Sequence, residues 1–170
     1  MSEHPQYTHE ELRGGQFPHQ LFLFNMVGNH ILLSIIALSN SAIPWVALGV
    51  PILSCIIFAI TFIMGSKQKN HTSEFVRCHW RVALTRTKIF LLAYALMIAA
   101  VGLAWMLHSV MPIKEMAYAI VGGLGILPTM VMVLVLTVME SETLNHALHG
   151  RIPDSLRAKY LAEPAAAKAE

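Results

Sequence analysis

Acidic side chains are missing from a long stretch of this sequence. None occurs from Leu12 to Ser73, and none falls within any of the long apolar runs. Proton-coupled carriers and cation-channel rings place carboxylates inside the membrane. A carboxylate-based pump or cation channel is therefore not expected, and Glu115 and Glu140 read as markers of the two ends of the last run. Cysteine is also scarce. Cys55 lies in an apolar run and Cys78 in a basic loop, which excludes a structural disulfide between them. The sequence has no Ser/His/Asp set, glycine-rich phosphate loop, C-x-x-C or H-E-x-x-H motif and no strand pattern. The expectation is a protein that is not an enzyme and has no cofactor specified by a motif.

Charge is low overall. Of 170 residues, 13% are charged and 55% hydrophobic, whereas soluble domains are about a quarter charged. The apolar residues gather in four runs, 20–38, 44–64, 89–110 and 117–139. A hydrocarbon core about 30 Å thick takes about 20 residues at about 1.5 Å each, so each run can span it. The expected fold is all-α: a polytopic membrane protein of four transmembrane helices arranged as two antiparallel hairpins, with helices three and four extended into the cytoplasm. The first 15 residues carry three acids and one arginine, with no basic region before the first apolar run. That run reads as a retained span and not as a cleaved signal.

Basic residues set the orientation. Lys67, Lys69, Arg77, Arg81, Arg86 and Lys88 lie between runs two and three, and Arg151, Arg157, Lys159 and Lys168 follow run four. The connection SNSAIP has none, and MPIK has only Lys114. Cytoplasmic loops retain Lys and Arg. The expected location is the bacterial inner membrane, multi-pass, with both termini cytoplasmic. Residues 1–19 form a cytoplasmic N-terminal segment and 20–150 the transmembrane domain. That domain has cytoplasmic helical extensions at about 66–88 and 140–150, and residues 151–170 are a cytoplasmic tail.

Thr72 and Ser73 are N-cap types beside Glu74, and no proline interrupts the pattern from there to Val110. The fourth pattern runs on to Gly150, a natural C-cap, with Pro153 after it and Asp154 capping a further short helix. PAAAKAE reads as disordered. Counting outward from Pro112 puts His79, with Cys78, opposite the level of Asn145, so that His79, Cys78, His146 and His149 are one candidate metal set. The alternative is an anchor at the headgroups, where Arg77, Arg81 and Lys88 form one phosphate-facing stripe. Within the first span lie Asn25, Asn29, His30 and Ser34, suited to interhelical hydrogen bonds or to a quinone or lipid contact. Met106, His108, Met111 and Met116 form a soft cluster at an outer turn, suited to Cu(I) or to ordinary packing.

Gly102, Gly122, Gly123 and Gly125 give helices three and four smooth surfaces for close packing, internal or against a neighbour. The functional expectation is a non-catalytic accessory or structural subunit of a larger bacterial inner-membrane complex. Its partners would be other membrane protein subunits and anionic phospholipid, with no nucleic acid. A small metal- or cofactor-handling membrane protein, or a small carrier or channel, is the alternative.

Overall fold

The structure, a computed structural model, describes residues 7–39, 45–110 and 114–161. All regular structure among them is helical, and four helices are long and apolar enough to cross a membrane. Helix α1 (His9–Leu23) runs into a π-helical segment (Phe24–Leu33) and then α2 (Ser34–Ser39). Next come α3 (Trp45–Gln68) and α4 (Glu74–Val110). A short α5 (Lys114–Ala119) leads through a second π segment (Ile120–Ile126) into α6 (Leu127–Leu148), and α7 (Asp154–Leu161) ends the series. The turns expected at SNSAIP and MPIK lie largely outside the described residues, and PAAAKAE lies wholly outside them.

Helix α1 begins well ahead of the first apolar run because Thr8 and Glu11 close a reciprocal cap. Glu11 N–H donates to Thr8 Oγ1 at 3.2 Å, and Thr8 N–H donates to Glu11 Oε2 at 2.8 Å. Helix α4 starts at Glu74, just past the expected caps, and continues unbroken for 37 residues. The α6–α7 corner follows from Gly150, whose φ of 63° suits a residue without a Cβ. There Arg151 N–H donates to His146 O at 2.9 Å.

The chain divides into two compact units, Met1–Thr85 with Met139–Glu170, and Arg86–Val138. In the first, Phe75, Val76, Trp80 and Ala147 form a buried core joined by Tyr7, Leu12, Met64 and Ile152. Adjacent glycines let α1 approach it. A Cβ on Gly14 would lie 3.3 Å from Val76 Cγ2, and one on Gly15 only 2.3 Å from Phe75 Cε1. Trp80 Nε1–H donates to Gly14 O at 3.1 Å, which fixes α1 against α4. Glycine inside a helix costs about 1 kcal/mol relative to alanine; here it permits a contact that alanine would block.

A polar knot ties the π segment to α3. Asn25 Nδ2 donates to Ser54 Oγ at 3.1 Å, and Asn29 Nδ2 donates to Asn25 Oδ1 at 3.0 Å and to Val50 O at 2.9 Å. Both asparagines are 1% exposed and Ser54 is 0%. Interhelical hydrogen bonds at membrane depth are worth about 0.6 kcal/mol on average and up to about 1.7. Asn25→Ala breaks two bonds and is expected to destabilise by about 1–2 kcal/mol, read as a lowered unfolding midpoint in detergent. Asn25→Gln is expected to recover part of that loss.

In the second unit, a Cβ on Gly125 would lie 3.3 Å from Ala100 Cβ, so this glycine serves the close approach of the chain around Ile126 to α4. Gly102, Gly122 and Gly123 have open space where a Cβ would stand. An apolar groove of about 470 Å³ is lined by residues including Leu92, Leu96, Ala99, Leu124, Pro128 and Met132.

Candidate functional site

Three titratable side chains from three helices meet in the core of the first unit. His19 on α1, His79 on α4 and Glu140 on α6 are each 0% exposed. His19 Nδ1 lies 2.7 Å from Glu140 Oε1, and His19 Nε2 lies 2.8 Å from His79 Nδ1. The imidazole of His19 thus bridges a carboxylate and a second imidazole. The two rings meet edge to face, with centroids 5.0 Å apart and planes 84° apart. Phe75 packs on His79 with centroids 4.5 Å apart. Burial strengthens such hydrogen bonds and makes their loss expensive.

Helical spacing delivers each group. On α1 the buried positions are Gly15, Pro18, His19 and Phe22, which recur at three- and four-residue intervals on one face. On α6, Leu136, Glu140, Thr143 and Ala147 are buried at intervals of four, three and four. Glu140 therefore stands where a core residue belongs. Read from sequence as a marker of the end of the last apolar run, it is instead a buried position within α6, which continues to Leu148. On α4, Phe75, His79, Val82 and Arg86 form the matching buried stripe.

Counting protons defines what the relay can do. With Glu140 ionised and both imidazoles neutral, His19 donates to the carboxylate and accepts from His79 Nδ1–H. One added proton makes His19 an imidazolium paired with Glu140. It then donates to His79 Nδ1, and the His79 proton moves to Nε2. Both hydrogen bonds survive, with the second reversed in direction. A further proton on His79 would leave two N–H groups facing each other across 2.8 Å and break the His19–His79 bond.

The sequence-derived sets fare differently. His79 joins His19 and Glu140. His146 is half-buried, 3.9 Å from Glu142 Oε1, and His149 is exposed, its Nδ1 2.8 Å from Asn145 O on its own helix. Cys78 is buried and a free thiol. Among the described residues no group of three His, Cys, Asp or Glu is disposed to hold a metal ion.

In the basic stripe, Arg77 and Arg81 are half-buried and donate to backbone carbonyls. Arg77 Nη1 donates to His71 O at 3.2 Å. Arg81 donates to Tyr160 O at 2.6 Å and to Lys69 O at 3.5 Å, satisfying carbonyls at the ends of α7 and of the α3–α4 connection. Lys88 is exposed. Asn25 and Asn29 turn inward to α3, His30 Nδ1 lies 2.9 Å from Asn25 O, and Ser34 is half-buried. Met106 and His108 are exposed and Met116 half-buried, while Met111 is outside the described residues.

No protein-family model, curated protein or solved structure matches the chain.

Proposed function

We propose that this chain is a proton-responsive, non-catalytic subunit of a bacterial inner-membrane assembly. It folds as two antiparallel hairpins with both termini cytoplasmic, and its N-terminal helix is held or released according to the protonation of His19, His79 and Glu140. The observation that carries this reading is the unbroken hydrogen-bonded line of three wholly buried titratable groups joining α1, α4 and α6. The lysines and arginines flanking runs two, three and four support the orientation. The open faces at Gly102, Gly122 and Gly123 support a neighbouring membrane helix, since small residues allow close approach in lipid.

Acid is the releasing condition. Docked, a proton on each imidazole would set two N–H groups against each other across 2.8 Å; released, the rings are apart and that conflict is gone. The released state binds more protons, so docking weakens as pH falls. Hydrogen exchange of the α1 backbone amides, followed against pH in the full-length protein, tests this. Protection of α1 should fall by about tenfold per pH unit once the released state holds one proton more than the docked state. In Glu140→Gln the first imidazolium loses its counter-charge, so release should begin at higher pH and rise more steeply. Protection of α1 independent of pH in both proteins would sink the reading.

A further inference from the structure

The apolar groove of about 470 Å³ in the second unit begins where the third apolar run begins. Its wall on α4 runs from Ile89 to Leu103, and its other wall is built around Leu124, Pro128 and Met132. At about 1.5 Å per residue the groove is about 21 Å long on α4, more than one leaflet of a hydrocarbon core about 30 Å thick. Ala100 and Thr129 form its floor, 7% and 8% exposed, while Leu92, Leu96 and Leu124 stand at the rim, 60–64% exposed. Thr129 is the polar side chain of the lining, and its hydroxyl already donates to Gly125 O at 2.8 Å. The lining thus offers a ligand no free hydrogen-bond donor, which selects for an apolar occupant.

Size narrows the choice. A methylene takes about the volume of a water molecule in the liquid, about 30 Å³, so the groove holds about sixteen carbons. A helix about 10 Å across laid along the same length fills about 1,600 Å³, more than three times the space. One end of the groove also meets a charge. Lys88 precedes Leu92 by four residues and Leu96 by eight, so it continues the same strip of α4 one turn nearer the α3–α4 connection. Arg77 and Arg81 are engaged with backbone carbonyls and Arg86 is buried, whereas Lys88 is exposed. Helix α4 carries no acid after Glu74, so no carboxylate on that helix competes for the Lys88 ammonium.

We propose that the groove holds one acyl chain of an anionic phospholipid, with the headgroup phosphate at Lys88. A tail that starts at a headgroup and runs inward matches a groove that starts beside a lysine, at the edge of an apolar run, and continues to the depth of Leu103. The lysine favours a lipid of net negative charge over one whose own ammonium offsets the phosphate. The site uses none of His19, His79 or Glu140, so it stands or falls apart from the proton reading.

The test exchanges the full-length protein into detergent holding dipalmitoylphosphatidylglycerol and dipalmitoylphosphatidylcholine at equal concentration, and counts bound lipid by native mass spectrometry. The wild type should retain phosphatidylglycerol about fivefold over phosphatidylcholine, the scale of one basic residue beside an anionic headgroup. Lys88→Gln should erase that preference and leave weak retention of both. Ala99→Phe, which brings a ring into the groove from an exposed position of α4, should remove most bound lipid of either kind. Equal retention of the two lipids by the wild type, a preference that survives Lys88→Gln, or lipid unchanged in Ala99→Phe overturns the proposal. So does a wild type that carries a second protein chain in place of lipid and loses it in Ala99→Phe, which assigns the groove to a neighbouring helix. Matching thermal unfolding of wild type and variants shows that the losses belong to the groove; should Ala99→Phe fail to fold, Lys88→Gln alone decides.

Discussion

Replacing Glu140 by alanine is expected to destabilise the first unit by about 2–4 kcal/mol, because a buried partner is removed from a charge-assisted pair. The loss has two parts. His19 Nδ1 loses an acceptor at 2.7 Å in a site with no exposed surface, and a void is left among closely packed side chains. Thermal or denaturant unfolding in detergent reads the total. Glu140→Gln retains an acceptor and most of the volume, so it should recover most of the stability while still altering the pH dependence of α1 exchange. That pairing of results separates the carboxylate's packing from its charge. Equal stability of wild type and Glu140→Ala would mean that the triad contributes nothing to holding the three helices together.

The second large effect is expected at Gly15, where alanine adds a single methyl. That methyl would sit 2.3 Å from Phe75 Cε1 and 2.8 Å from Cδ1, distances that real Cβ atoms do not adopt. Phe75 has little room to give, being 0% exposed with Tyr7 and His79 each 4.5 Å away between ring centroids. Overpacking of this kind costs about 1–3 kcal/mol, against a helix-propensity gain of about 1 kcal/mol from replacing glycine. The net expectation for Gly15→Ala is a loss of about 1–2 kcal/mol together with reduced protection of α1 amides. At Gly123 a new methyl meets open space, so Gly123→Ala should leave the isolated protein unchanged or slightly more stable. Side-by-side melting of the two variants checks the contrast, and an unchanged Gly15→Ala would show that Phe75 can rotate away.

Much of the helical layout could be read from residue order. The absence of proline between Ser73 and Val110 predicts α4, and Gly150, Pro153 and Asp154 predict the α6–α7 corner. The start of α1 was present as Thr8 and Glu11 in capping-box spacing, but in a polar segment that the apolar runs did not flag. The relay was harder to see. Its members are separated by 60 and 121 residues, and no short motif links residues so far apart. Periodicity offered a partial signal, since Glu140 continues the Leu136–Thr143–Ala147 stripe. Hydropathy instead read a carboxylate as seeking water, although a bonded imidazole can hold it in a core. Matching helix levels by counting from a turn also assumed uniform α-helix. The π segments at Phe24–Leu33 and Ile120–Ile126 hold more residues per turn and so change which side chains face a neighbour.

The order of synthesis gives the relay a place in time. His19 leaves the ribosome early, His79 much later and Glu140 last. Until the last span has been made, both imidazoles lack their carboxylate, and the glycine-lined face of α1 has no finished seat. Helix α1 is thus made before either of the partners that hold it, and its hydrogen-bonded seat is complete only once α6 has been made.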